Sequence, residues 1–108
     1  LDSLYSTAPY YPKLLIKYAD VLSESGDIQR AIEKYIAYFN LFPYWNEFES
    51  FENLNKYDQD QIEIFFKHNK SFYYDIEDFV ELCEENGEIE LSQYYSDLLI
   101  KIEELFYT

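Results

Sequence analysis

Apolar residues recur at helical spacing toward both ends of the chain, and this pattern predicts four amphipathic helices. They are expected over residues 12–25, 27–41, 71–86 and 88–106. The side chains predicted to face inward are Leu14, Leu15, Tyr18, Ala19 and Leu22 in the first helix, Ile28, Ile32, Tyr35, Ile36 and Phe39 in the second, Phe72, Ile76, Phe79, Val80 and Cys83 in the third, and Leu91, Tyr95, Leu98, Leu99, Ile102, Leu105 and Phe106 in the last.

The middle of the chain has a weaker pattern. Trp45, Phe48 and Phe51 indicate a short helix. The segment Asp58–Asn69 includes an alternating Gln-Ile-Glu-Ile-Phe stretch, but a lone strand among helices would have no ladder partner, so a helix is predicted there as well. The expected fold class is therefore all-α, with about six helices in three antiparallel hairpins, of which the middle one is the shortest.

Two glycines mark the turns of the outer hairpins. Gly26 and Gly87 follow the predicted helices at the position where a helix C-terminus favours a residue tolerant of positive φ. Asp27 is expected to cap the next helix through its side-chain oxygen. Ala19 and Ala31 lie on either side of the first turn, where small side chains would let the two helices cross closely.

The stretch Leu15–Pro43 resembles one tetratricopeptide repeat (TPR), a helical hairpin that stacks with its neighbours. The residues that carry the resemblance are Leu15, Tyr18, Ala19, Leu22, Gly26, Asp27, Ala31, Tyr35 and Pro43. Tyr38 departs from the family pattern, which usually has alanine there. A weaker echo over Tyr74–Phe106, 61 residues further on, places Val80, Cys83, Gly87, Glu88 and Ser92 at equivalent positions. The resemblance implies a right-handed superhelical fragment and a role in protein binding.

Size and composition favour one small domain over residues 1–108. The 108 residues include 23 aromatic side chains, which supply ample apolar area for a core, and no Gly/Ser-rich linker. The chain has no methionine and begins with leucine, so we expect it to be a domain excised from a longer protein. The single cysteine excludes an internal disulfide and favours a cytoplasmic location. No apolar run approaches the ~20 residues that a membrane span requires.

Negative charge is concentrated in the second part of the chain. The net charge is −14, and residues 44–108 carry 17 of the 22 acids but only four of the eight bases. Asp75 to Glu90 holds eight acids and no base. On a helical wheel Glu77, Asp78, Glu81, Glu84 and Glu85 oppose the apolar stripe. The TPR resemblance would place Tyr74, Glu77, Glu81, Glu84 and Glu85 on the groove side of a first helix, and the alternative is a solvated helix surface. The predicted binding residues are Tyr74, Glu77, Asp78, Glu81, Glu84 and Glu85.

The sequence offers little for catalysis or metal binding. His68 is the single histidine, in a polar Lys-His-Asn context, and Cys83 lies on a core stripe, so no Cys/His metal set exists. The Asp58-Gln-Asp60 stretch lacks the glycine and glutamate of a calcium loop. We therefore predict no catalytic residue, no metal and no cofactor. The net charge disfavours direct binding to nucleic acid or to an anionic membrane.

Two hypotheses for function follow. The first is a protein–protein interaction module that binds a basic peptide or a basic protein surface. The alternative is a small acidic inhibitor or immunity-type protein that neutralises a basic nuclease or nucleic-acid-binding protein. An enzyme fragment is the least favoured interpretation, because no pair of side chains stands out as acid and base.

Overall fold

A computed structural model describes residues 12–107, and every regular element in this range is a helix. In chain order the helices are α1 (Pro12–Glu24), α2 (Ile28–Phe39), a 3₁₀ helix (Trp45–Asn53), α3 (Lys56–His68), α4 (Lys70–Glu85) and α5 (Ile89–Phe106). The all-α prediction and the count of about six helices are confirmed. Contacts divide the described residues into two compact units, 12–45 and 46–107, which are considered separately.

The first unit is the hairpin of α1 and α2. Leu15, Ala19 and Leu22 are the buried residues of α1, whereas Leu14 and Tyr18, which were also predicted to face inward, are half-buried. Ala19 and Ala31 are both fully buried, which fits their predicted place at the helix crossing. Tyr38, the departure from the TPR pattern, is also buried and packs against Phe39 with ring centroids 5.7 Å apart.

The turn between α1 and α2 depends on Gly26. Its φ is +89°, in the left-handed region that a residue with a side chain rarely adopts. The Gly26 amide donates to the carbonyl oxygen of Ser23, and the Asp27 amide donates to that of Leu22 at 2.8 Å. These two bonds form a Schellman motif, which satisfies carbonyl groups that the end of α1 would otherwise leave unpaired.

The predicted capping role of Asp27 is wrong. Its side chain makes no capping hydrogen bond to the start of α2. The carboxylate instead forms a salt bridge with Arg30, with 3.5 Å between Oδ2 and Nη1. The backbone of Asp27 is already fixed by the turn, at φ −87° and ψ 70°, so the short side chain is not presented to the amides as an extended cap residue would present it.

The middle of the chain is helical, but it does not form the predicted hairpin of two packed α-helices. Residues Trp45–Asn53 form a 3₁₀ helix that is interrupted by non-helical angles at Ser50. The predicted helix at Asp58–Asn69 is confirmed as α3, which begins two residues earlier. The side chain of Asn55 caps it by accepting a hydrogen bond from the Asp58 amide at 2.8 Å.

The second unit has an aromatic core that joins its outer elements. Phe66 of α3 stacks on Phe106 of α5, with centroids 5.3 Å apart, and Phe48 of the 3₁₀ helix lies 5.7 Å from Phe66. Phe72 of α4 makes an edge contact with Phe66 at 5.9 Å. Large rings that contact in offset and edge geometries bury much apolar area. This cluster therefore holds the 3₁₀ helix, α3, α4 and α5 together, in place of the predicted middle hairpin.

The α4–α5 hairpin repeats the turn of the first unit. Gly87 has φ +75°, and the Glu88 amide donates to the carbonyl oxygen of Cys83 at 2.8 Å. All five predicted inward residues of α4 are buried. In α5 the prediction was wrong at Leu105, which is 38% exposed, and it omitted Ser92, which is buried and donates its hydroxyl hydrogen to the carbonyl oxygen of Ile89. The right-handed superhelical stacking and the single domain over 1–108 stay predictions.

Candidate functional site

The predicted binding residues lie together on the exposed side of α4. We call Tyr74, Glu77, Asp78, Glu81, Glu84 and Glu85 the acidic face. All six are exposed, while Phe72, Ile76, Phe79 and Cys83 are buried on the opposite side of the helix. Tyr74 is 56% exposed, so an aromatic ring stands beside the carboxylates. The helical wheel therefore placed this set correctly, whereas its role in binding stays a prediction.

Little within the described residues offsets the charge of the acidic face. Glu81, Glu84 and Glu85 make no salt bridge within residues 12–107. Helix α3 handles its acids differently, because Lys56 and Lys67 pair with Asp60 and Glu63 across one helical turn. Like charges four residues apart, as in Glu77–Glu81 and Glu81–Glu85, instead cost a helix about 0.2–0.5 kcal/mol per pair. The carboxylates thus persist on α4 at some cost to its stability.

A cleft of about 380 Å³ lies where α4 begins and α5 ends. We call it the tyrosine cleft, since three tyrosines contribute to its walls. Its lining residues are Lys70, Tyr73, Tyr74, Glu77, Glu103 and Tyr107. The acidic face and the tyrosine cleft share Tyr74 and Glu77, so the two features are continuous along α4.

The walls of the tyrosine cleft are fixed by ring contacts and hydrogen bonds. The Tyr73 ring meets Tyr74 edge to face at 5.5 Å and Tyr107 edge to face at 5.3 Å. The Tyr73 hydroxyl donates to the Glu103 carboxylate, and the Tyr107 hydroxyl donates to the carbonyl oxygen of Phe66 at 2.7 Å. Two of the three tyrosines are thereby held at both the ring and the hydroxyl, which gives the cleft a set shape.

Burial and nearby negative charge make the cleft hydroxyls weaker acids. Burial, followed by the hydrogen bond to Glu103 and the charges of Glu103 and Glu77, raises the pKa of Tyr73 well above its usual value. Burial also raises the pKa of Tyr107. Both hydroxyls therefore stay protonated at neutral pH and act as hydrogen-bond donors, not as bases.

One cation of the chain already contacts this cleft. The Lys70 ammonium lies 5.7 Å from the centroid of the Tyr107 ring, within the range of a cation–π contact. The same kind of contact recurs in the first unit, where Lys34 lies 5.1 Å from the Tyr18 ring and Lys13 lies 5.8 Å from the Tyr38 ring. Tyrosine rings in this protein thus make several cation–π contacts with lysine side chains.

A second, smaller cleft of about 290 Å³ lies in the same unit but is partly closed by the chain itself. Its lining includes Glu49, Tyr94 and Lys101. The Lys101 ammonium donates to the carbonyl oxygen of Glu49 at 2.7 Å and pairs with Glu52 at 3.3 Å. Burial and a hydrogen bond to Glu49 raise the pKa of Tyr94 to about 12, and a backbone hydrogen bond, with Lys101, lowers that of Glu52. These contacts tie the 3₁₀ helix to α5, which is a structural role.

The residues with potential for catalysis or metal binding lie apart from both clefts. Cys83 is fully buried, and burial together with the charge of Glu88 raises its pKa to about 11, so the thiol is protonated and unreactive at neutral pH. His68 is exposed at the end of α3. Within residues 12–107, no three side chains of the metal-binding types come together in a possible site.

Four cleft residues were missed by the sequence reasoning: Lys70, Tyr73, Glu103 and Tyr107. The cleft brings together Tyr74 and Glu77 from the predicted set, but not the four acids that follow them. The sequence could have predicted the position of Glu103. In a hairpin that turns at Gly87, residues about equally far from the turn on the two helices lie side by side. Tyr73 and Glu103 satisfy that relation.

No family model matches the sequence, and neither a curated protein nor a solved structure shows a significant match. The resemblance to a tetratricopeptide repeat thus stays a prediction. Within residues 12–107, no helix has the length and apolar character needed to cross a bilayer.

Proposed function

We propose that this chain is a protein-interaction module that binds a basic peptide or a basic protein surface through the acidic face. The observation that carries the proposal is a helix surface of exposed carboxylates, of which Glu81, Glu84 and Glu85 have no salt-bridge partner among residues 12–107. Lysines or arginines brought there by a partner would relieve the repulsion along α4. The exposed ring of Tyr74 would add a cation–π contact of about 0.5–2 kcal/mol.

The proposal includes the TPR-like stacking of hairpins that the sequence resemblance implies. Its support is the likeness of the two outer turns, at Gly26 and Gly87, which share the same hydrogen-bond pattern 61 residues apart. In such a stack α4 would be the first helix of a repeat, and its acidic face would line the groove. Neither catalysis nor a cofactor is part of the proposed function.

A charge-reversal experiment with a matched control tests the proposal. The test variant combines Glu81→Lys with Glu85→Lys, and the control combines Glu24→Lys with Glu33→Lys, which are exposed acids of the first unit. Both variants change the net charge equally. The probe is an octalysine peptide, with affinity measured by calorimetry at low and high salt and folding checked by thermal melting.

We expect the test variant to bind octalysine about tenfold more weakly than wild type at low salt, because several favourable charge contacts of ~0.2–1 kcal/mol each become repulsive. The control should lose much less affinity. The difference should shrink as salt rises, since the screening length falls from ~10 Å at 0.1 M to ~3 Å at 1 M. Equal losses in both folded variants would show that the peptide responds to net charge alone, and the proposed site would be wrong.

A further inference from the structure

The tyrosine cleft differs from the rest of the acidic face in having depth and fixed walls. Along the later turns of α4 the carboxylates are exposed on a convex helix surface, which can attract any cation. At the cleft, by contrast, carboxylates and rings from α4 meet side chains from the end of α5. A site with depth can select for the shape of a cation as well as for its charge.

The ring geometry of the cleft favours a flat cation. Tyr73 is 8% exposed and serves as a wall, whereas Tyr74 is 56% exposed and offers its ring to a ligand. Tyr74 and Tyr107 each pack nearly perpendicular to Tyr73, at interplanar angles of 87° and 79°. A guanidinium group is planar and weakly hydrated, so it stacks on an aromatic ring more readily than a compact, strongly hydrated ammonium does.

The carboxylates of the cleft favour a cation with several donors. Glu103 receives the Tyr73 hydroxyl hydrogen on Oε1, which leaves its second oxygen for another donor, and Glu77 lines the same cleft from α4. A guanidinium group carries five N–H donors in a rigid fork that matches carboxylate oxygens. Among the described residues that line the cleft, Lys70 is the one cation that faces these two carboxylates.

Lys70 shows that the cleft accommodates a positive charge, and its ammonium group would compete with a cation from outside. Its ammonium lies 5.7 Å from the centroid of the Tyr107 ring and forms no salt bridge within residues 12–107. A flexible lysine held by one ring contact is easily displaced. Removal of this side chain should therefore increase the affinity of the cleft for a cation from outside.

We propose that the tyrosine cleft binds an arginine side chain of the basic partner, with the guanidinium group stacked on Tyr74 and hydrogen-bonded to Glu77 or Glu103. This inference rests on the proposed function and adds a chemical preference to it. The acidic face attracts the partner by charge, and the cleft distinguishes arginine from lysine. A partner that places arginine at the start of α4 is thereby favoured over an equally charged lysine-rich one.

The test compares octa-arginine with octalysine peptides by calorimetry on the whole chain. Wild type should bind octa-arginine about five- to tenfold more tightly than octalysine. Tyr74→Ala should reduce this ratio to about two or less, while Tyr57→Ala, which removes a 69% exposed tyrosine of α3 outside the cleft, should leave it unchanged. Lys70→Met should raise the affinity for octa-arginine. Thermal melting establishes that each variant is folded.

The outcomes separate this inference from the proposed function. If both peptides bind, and if the ratio is the same in wild type and in folded Tyr74→Ala, the cleft does not select arginine, although the acidic face still binds cations. If the ratio falls equally in the Tyr57→Ala control, the preference belongs to tyrosines in general and the cleft assignment is wrong. If neither peptide binds at low salt, the proposed function itself fails.

Discussion

At the scale of single residues, the second unit contains groups that the fold keeps protonated. Cys83 has no exposed surface, and burial is the main reason that its pKa rises from the usual 9.0 to about 11. Burial also raises the pKa of Tyr73, with a further contribution from its hydrogen bond to Glu103. An ionised thiolate or phenolate at these positions would lose its hydration without gaining a cationic partner, so the neutral forms are strongly preferred.

Cys83 should be nearly inert toward thiol reagents while the protein is folded. At pH 8, a pKa of about 11 leaves ~0.1% of the thiol ionised, against ~9% for a cysteine with the usual pKa of 9.0, and the buried sulfur is also inaccessible. We expect modification by a disulfide reagent to be at least ~10²-fold slower in buffer than in guanidinium chloride. Because the chain has one cysteine, the unfolded control should release one equivalent. Rapid stoichiometric reaction of the folded protein would contradict the buried placement.

At the scale of the helices, the two outer hairpins depend on the same turn. In each, a glycine at positive φ directs two amides back to the last carbonyl groups of the preceding helix. A Cβ added at Gly26 or Gly87 would meet nothing within 4 Å. The need for glycine therefore comes from backbone conformation alone and not from crowding.

Gly26→Ala and Gly87→Ala should each destabilise the fold by about 1–2 kcal/mol, which is the cost of placing an L-residue in the left-handed region. Asparagine tolerates that region better, so Gly26→Asn and Gly87→Asn should cost less than the alanine variants. Urea unfolding followed by circular dichroism measures both series. Alanine variants as stable as wild type would mean that the turns can adopt another conformation at little cost.

The elements that the sequence predicted well are those in which local rules and packing agree. The stripes of α1, α2, α4 and α5 have helical periodicity, and their bounds were correct to within about two residues. Asp27 shows where a local rule fails, because the Schellman turn already fixes its backbone and Arg30 binds its carboxylate. The spacing of Trp45, Phe48 and Phe51 indicated a short helix, but the break at Ser50 and distant contacts such as Phe48 with Phe106 were not predictable from it.

The acidic face was predictable from the sequence because it lies on one helix, and the tyrosine cleft was not because several elements form it. All six residues of the face lie on one helix, so a helical wheel is sufficient to group them. The cleft requires α5 to return beside α4, and Tyr107 lies 34 residues from Tyr73 along the chain. Its geometry also depends on the hydrogen bond from Tyr107 to Phe66 of α3, which no pattern within one helix contains.

At the scale of the whole molecule, charge is distributed unevenly along the chain. Residues 1–43 are nearly neutral, whereas residues 44–108 carry almost all of the net charge of −14. Such an excess repels itself in the compact state more than in the unfolded chain. Deprotonation of buried groups at high pH adds to that repulsion, so alkaline conditions should destabilise the second unit most.

Stability should fall as pH rises from about 9 to about 12. Folding raises the pKa of Cys83 from 9.0 to about 11 and that of Tyr94 from 10.0 to about 12, so each group binds its proton more tightly in the folded state. Their stabilising contributions are complete below the unfolded pKa values and disappear as pH rises through the folded ones. The urea midpoint should decrease from pH 8 to pH 11. The urea midpoint of Cys83→Ala should decrease less between these two pH values than that of the wild type. A wild-type midpoint independent of pH would contradict both pKa shifts.

The absence of lysine and arginine from most of the α4–α5 hairpin also determines which enzymes can act on it. No lysine or arginine occurs from Ser71 to Ile100, a span that covers nearly all of α4, the Gly87 turn and most of α5. An exposed hairpin tip is ordinarily a preferred site for proteolytic nicking, but trypsin has no residue to cleave there. Complete tryptic digestion releases this hairpin as one peptide that ends at Lys101. Acetylation and ubiquitin attachment, which require a lysine amine, likewise have no acceptor on the acidic face.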